Sequence, residues 1–171
     1  PDDIMAGNLP SGTVVLFDDD HYYMGGVIAE KLVATGCNVT LVTPAARVSE
    51  WTVNTLEQGR IHKRLAEKGI TIRLNTVMTG VDHDRVVMAC SFTGAGDEMP
   101  ADAVVMVTAR VGNNQLWRDL TMRETEWPTH GIRSIKLIGD AASPAPIAWA
   151  TYAGHRYASE LDTVDLADAL P

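Results

Sequence analysis

Three consecutive carboxylates, Asp18-Asp19-Asp20, stand directly after the apolar run Thr13-Val14-Val15-Leu16-Phe17, and His21-Tyr22-Tyr23-Met24-Gly25-Gly26 follows them. A buried strand running through a tight turn into a helix is an arrangement that can hold the phosphates of a nucleotide. Small residues let backbone N–H groups approach, and the helix N-terminus adds partial positive charge. Here carboxylates take the glycine positions, and each close contact with a phosphate would cost on the order of a kilocalorie per mole in a partly desolvated site. His21, Tyr22 and Tyr23 add bulk that blocks close backbone approach. Asp18, Asp19, Asp20, Gly25 and Gly26 therefore read as a degenerate phosphate loop, with the glycine pair left over from tight helix–strand packing. Thr43-Pro44 ends the next strand, where Asp or Glu would hold ribose hydroxyls, and Arg47 reads as surface charge rather than as a ligand for a 2′-phosphate. Loss of NAD(P) binding is the expectation.

Two other readings of the aspartates compete. A strand ending in paired aspartates also opens the receiver domains of signalling proteins, where the carboxylates bind magnesium. That reading needs a phosphoacceptor Asp at the third strand end and a later Lys, whereas this chain has Arg73-Leu74-Asn75 and Val107-Thr108-Ala109. The simpler alternative is that the carboxylates cap the following helix and favour its dipole. The histidines, His21, His62, His83, His130 and His155, show no metal-ligand spacing. No nucleophile elbow or Walker loop occurs. No catalytic and no metal-ligating residue is expected.

The elements that must position these residues follow from periodicity. Thr13 to Phe17 reads as a strand buried on both faces. Tyr22 to Thr35 carries Val27, Ile28, Leu32 and Val33 at helical spacing and stops at Gly36, and Asn38 to Thr43 is a second strand. This is a βαβ unit, whose strands run parallel. A second helix is predicted from about Val53 to Lys68, with Leu56, Ile61 and Leu65 on its core face, followed by a strand at Ile70 to Leu74. Thr76-Val77-Met78, Arg85 to Ala89 and Ser91-Phe92 then read as an antiparallel meander, with Gly94-Ala95-Gly96-Asp97 as a turn. Parallel character returns at Ala103 to Thr108, and a short amphipathic segment spans Gln115 to Leu120. Ile135-Lys136-Leu137-Ile138-Gly139-Asp140 reads as a strand running into a helix from about Pro146 to Leu161, after which the tail reads as frayed. The fold class is thus α/β: a Rossmann-like three-layer parallel sheet with an antiparallel β-meander, of the FAD/NAD(P)-binding domain type.

Composition narrows the partners. The net charge of −8 comes from 22 acidic against 14 basic side chains, a balance that disfavours nucleic acid. No apolar run approaches the roughly 18 residues of a membrane span. The start, Pro1-Asp2-Asp3-Ile4, has no signal-peptide character and no Met, so the chain is expected to be a piece of something longer. Cys37 and Cys90 read as inert thiols suited to a reducing cytoplasm. Trp51, Trp117, Trp127 and Trp149 are expected at edges or against absent domains.

The meander followed by Ala103-Val104-Val105-Met106-Val107-Thr108-Ala109-Arg110 resembles the NAD(P)H domain of disulfide-reductase flavoproteins, with Ala109 in place of a glycine. Leu137-Ile138-Gly139-Asp140 resembles their second flavin-nucleotide motif. With Trp51 to Glu57, Leu116-Trp117 and Thr151-Tyr152-Ala153-Gly154-His155-Arg156, nearly the whole chain is similar to the C-terminal region of the trimethylamine, dimethylamine and histamine dehydrogenase family. The Asp-Asp-Asp-His-Tyr-Tyr-Met-Gly-Gly run is the most specific part.

The resemblance implies a nucleotide-binding-like domain over residues 12–120. It also implies that residues 131–162 are a returning strand and helix of an adjacent FAD/ADP-binding-like domain. Gly139 and Asp140 would belong to an ADP or flavin-nucleotide site of that neighbour. The implied parent oxidises an amine with FMN in a barrel domain of the same polypeptide and passes electrons through a 4Fe-4S cluster to an acceptor protein. It would be a cytoplasmic homo-oligomer, with no nucleic acid or membrane partner, and this piece would carry no cofactor of its own. The alternative is a working NAD(P)H domain of an Old Yellow Enzyme-like or dienoyl-CoA reductase-like protein, relatives that keep their glycines.

Overall fold

The computed structural model describes residues 2–161. It divides the chain into one unit up to Ala109 and a second from Arg110. In the first, a short helix α1 (Asp2–Met5) precedes β1 (Thr13–Asp18), which is buried from Val14 onward. Helix α2 (Met24–Ala34) leads to β2 (Asn38–Val42), α3 (Gln58–Glu67) to β3 (Thr71–Arg73). A meander of β4 (Thr76–Asp82), β5 (Arg85–Cys90) and β6 (Gly96–Pro100) follows, and then β7 (Ala103–Val107). The strand order β3-β2-β1-β7 makes a parallel sheet, with Leu16 opposite both Leu41 and Val105. β4, β5 and β6 form a separate antiparallel sheet.

The alternation of side chains along a strand explains the layering. Val14 and Leu16 pack with Ile28, Ala29 and Leu32 of α2 and Leu65 of α3. Val15 and Phe17 point the other way and pack with Val42 and with Val86 and Met88 of β5. The parallel sheet therefore lies between helices and the antiparallel sheet, a mixed α/β fold.

Three sequence expectations change. The helix expected from Val53 to Lys68 is broken: a 3-10 turn occupies Glu50–Val53 and α3 begins only at Gln58. The Thr52-Val53-Asn54-Thr55 run is poor helix material, since β-branched side chains lose freedom and hydroxyls compete for the backbone. Thr52 Oγ1 donates to the Ser49 carbonyl and Thr55 Oγ1 to that of Thr52. Leu56 is consequently not a core residue; it is 88% exposed and left-handed at φ 62°. That conformation costs a non-glycine residue roughly 1–2 kcal/mol. Leu56→Asn, which tolerates it, is expected to raise stability by about 1 kcal/mol in urea denaturation; a loss instead would show that the exposed leucine is anchored.

The second change is in the meander. Ser91-Phe92 forms a turn with Phe92 exposed, and the third strand is Gly96–Pro100, whose first two residues read as part of a turn. An edge strand tolerates Gly, Asp and Pro, and ion pairs of Arg85 with Glu98 and of Arg73 with Asp97 pin it.

The third lies in the second unit, which contains α4 (Gln115–Thr121), 3-10 turns at Glu124–His130 and Gly139–Ala141, and α5 (Ile147–Glu160). Among the described residues Ile135 to Ile138 joins no ladder, so the expected strand is not formed with any of them. The tail that read as frayed lies outside the described residues.

Candidate functional site

The three aspartates have three different environments. Asp18 ends β1 and is fully buried. Its Oδ1 accepts from the backbone N–H groups of Asp20 and His21, at 3.2 and 3.3 Å, while Oδ2 is buried without a hydrogen-bond partner. Desolvation pushes this carboxyl up to about 6, against the lowering effect of those two hydrogen bonds. Asp19 is exposed, with its N–H held by the Val107 carbonyl at 2.8 Å and its Oδ1 lying 3.1 Å from His21 Nε2. Asp20 is half-buried beside them.

The two glycines also serve different contacts. A Cβ on Gly25 would fall 2.5 Å from Asp18 Cγ and 2.6 Å from Asp18 Oδ2, so Gly25 makes room for the aspartate. A Cβ on Gly26 would meet Ile61 and Leu65 of α3 at 3.8 Å, ordinary contact in a helix pair. The carboxyl of Asp18 therefore lies against the first turn of α2, which has no side-chain cap.

His21 is left-handed at φ 59° and ties the loop to its surroundings. Its carbonyl accepts from Trp51 N–H at 3.0 Å, and its Nδ1 is 3.5 Å from the Thr43 hydroxyl. The Asp19-His21-Thr43 chain has the composition of a nucleophile relay. Thr43 is fully buried and its Oγ1 also accepts from Ala45 N–H, so its hydroxyl is closed off from solvent. Thr43 is thus a buried strut directly after β2, while Arg47 is exposed.

Sequence reasoning took Tyr23 only as bulk and missed Ser49. Tyr23 hydrogen-bonds Glu57 and Thr55; the bond with Glu57 raises the phenol and lowers the Glu57 carboxyl from their ordinary values. Ser49 is buried and left-handed, with an unpartnered hydroxyl. Neither has a signal in the sequence, because both depend on the break before α3.

Asp18, Asp19, Asp20, Gly25 and Gly26 are brought together. Gly139 and Asp140 belong to the second unit, where Gly139 is left-handed and Asp140 Oδ1 accepts weakly from Ala145 N–H at 3.5 Å. A groove of about 500 Å³ there is lined by Ile138, Gly139, Trp149, Tyr152 and Arg156, among others. Among the described residues no group of three or more His, Cys, Asp or Glu side chains could hold a metal ion. Cys37 is buried and its thiol donates to the Pro10 carbonyl; Cys90 is half-buried; both are free. No helix among these residues is long and apolar enough to cross a membrane.

Comparison with known proteins places this geometry. Residues 1–121 match the model of the OYE-like second alpha/beta domain family. The chain is 31% identical to dimethylamine dehydrogenase of Hyphomicrobium sp. (strain x), an alignment covering 96% of this chain and 25% of that protein. Histamine dehydrogenase from Rhizobium sp. 4-9 superposes with a TM-score of 0.89 at 55% identity, over 100% of this chain and 27% of its own. The 6-hydroxypseudooxynicotine amine oxidase of Pseudomonas geniculata N1 gives 0.81 at 38% identity, over 91% of this chain and 23% of its own. The chain thus spans about a quarter of the length of these relatives. It belongs to the OYE-like second alpha/beta domain family, in the group of the dimethylamine and histamine dehydrogenases.

Proposed function

We propose that this chain is the C-terminal, non-catalytic nucleotide-binding-like domain of an FMN- and iron–sulfur-containing amine dehydrogenase. Residues 12–120 are its FAD/NAD(P)-type Rossmann domain, and residues 131–162 return to an adjacent ADP-binding-like domain, to which Gly139 and Asp140 contribute. The barrel with FMN, the cluster and the contacts with an electron-acceptor protein lie elsewhere in a cytoplasmic, homo-oligomeric parent. The donors present here do not fit a 4Fe-4S cluster, which takes four cysteines; this chain has two, each held in its own surroundings. No step of amine oxidation is therefore assigned to these residues.

The observation that carries the reading is the seat of Asp18. A buried carboxyl stands against the first turn of α2, where a dinucleotide-binding domain needs open space and free N–H donors. Titration of the chain with NADH and NADPH, followed by fluorescence or calorimetry, is expected to show no saturation below about 1 mM. Micromolar binding of either would sink the reading and favour a working NAD(P)H domain.

A further inference from the structure

Among the described residues, the edge strands of the two sheets are β3, β7, β4 and β6. An open edge presents unpaired N–H and C=O groups, and proteins blunt such edges with short strands, charges, bulges or proline. Three of these edges are blunted. β3 has three residues and ends in Arg73. β4 is interrupted by a register shift between Met78 and Gly80 and ends in Asp82. β6 contains Asp97, Glu98 and Pro100. β7 has no such device: it reads Ala103-Val104-Val105-Met106-Val107 in unbroken register with β1.

The β7 edge is apolar as well as regular. Val107 gives its carbonyl to Asp19 N–H on the β1 side. Backbone groups alternate sides along a strand, so those of Val104 and Met106 point to the open edge. A groove of about 610 Å³ borders the strand, lined by Ile4, Leu9, Pro10, Val104 and Met106, among others, and Asp3 is its one charged residue. Asp102, just before the strand, is turned back onto Thr13 N–H at 2.7 Å.

We infer that β7 is the pairing edge for a second copy of this chain, joined antiparallel about a two-fold axis at Val105. A strand edge is complementary to its own copy in that arrangement. The outward N–H and C=O of Val104 meet those of Met106 in the second copy, and the reverse. Val104 and Met106 share one face of the strand, so each apolar side chain lands opposite the other across the axis. An uncharged strand faces an uncharged strand, without the like-charge barrier that Lys or Glu on an edge would raise. The two four-stranded sheets become one continuous sheet.

The test is sedimentation of the full chain between about 1 and about 300 µM, with hydrogen exchange alongside, for the wild type, Met106→Lys and Met106→Leu. The wild type is expected to pass from monomer to dimer within that range, and the amides of Val104 and Met106 to gain protection as it does. Met106 is 42% exposed, so lysine is tolerated in the monomer but brings a charge into the pairing face. Met106→Lys is expected to weaken association at least about tenfold, whereas Met106→Leu stays within about threefold of the wild type. If circular dichroism shows Met106→Lys unfolded, the exchange of the two wild-type amides decides. A wild type that remains monomeric up to about 300 µM overturns the inference. So does a dimer that a folded Met106→Lys leaves unchanged, or one whose Val104 and Met106 amides exchange as freely as in the monomer, because another surface would then join the copies. None of these results bears on the proposed loss of nucleotide binding, which the NADH and NADPH titrations read separately.

Discussion

Asp18→Asn is expected to remove a fall in stability that the wild type shows between about pH 4 and pH 6. Burial raises the folded-state carboxyl from 3.8 to about 6, so in that window the folded chain holds a proton that the unfolded chain has released. Because the folded state binds more protons, raising the pH weakens it. The contribution is fully present below about 4 and gone above about 6. The whole fall amounts to roughly 3 kcal/mol.

Asparagine keeps the Oδ1 acceptor for the Asp20 and His21 N–H groups and cannot ionise. It places an amide where Oδ2 is buried unpartnered, a penalty of about 1–3 kcal/mol that does not vary with pH. The diagnostic quantity is thus the difference between variant and wild type, measured by urea denaturation from pH 4 to 8. It should move in favour of Asn by about 3 kcal/mol across the window. Exposed carboxylates such as Asp97 and Glu126, held low by Arg73 and Arg123, give both proteins the opposite trend and cancel in the comparison. Parallel pH profiles would show that Asp18 is not desolvated.

Gly25→Ala is expected to destabilise the chain by about 2–4 kcal/mol, against the intrinsic preference of a helix for alanine of about 1 kcal/mol. The new Cβ would stand 2.5 Å from Asp18 Cγ, 2.6 Å from Oδ2 and 3.0 Å from Cβ. Asp18 cannot swing away, because β1 pairs it with Val107 of β7 and its Oδ1 is fixed by the loop. The double variant Asp18→Gly with Gly25→Ala should recover most of the loss, giving a coupling energy of at least about 1 kcal/mol in a thermodynamic cycle. Additive losses would mean that Gly25 is needed for another reason.

Most of the fold is written in local patterns. β1, α2 and β2 were legible because continuous apolar runs and a Gly36 stop leave few alternatives. Leu56 was misplaced because its spacing fits a helix, and only the hydroxyl-rich run before it breaks the ladder. β6 was missed because an edge strand is held by its neighbour's register and by Arg85 and Arg73, neither of which is adjacent in sequence. At the site, the aspartate triplet and the glycine pair were visible as a departure from a phosphate loop. Their division of labour was not. That one aspartate goes inside, one pairs with His21, and one glycine serves the strand while the other serves α3 are facts of packing.

A loop that must wait for a diffusing ligand is ordered only as far as the ligand's concentration allows. The Asp18 carboxylate is tethered to the loop it organises, so its effective concentration is set by the chain and not by the cell. The order of the turn between β1 and α2 therefore rests on a group that the chain itself supplies. Under the proposed function, such a turn presents the same surface whether nicotinamide nucleotides are plentiful or exhausted.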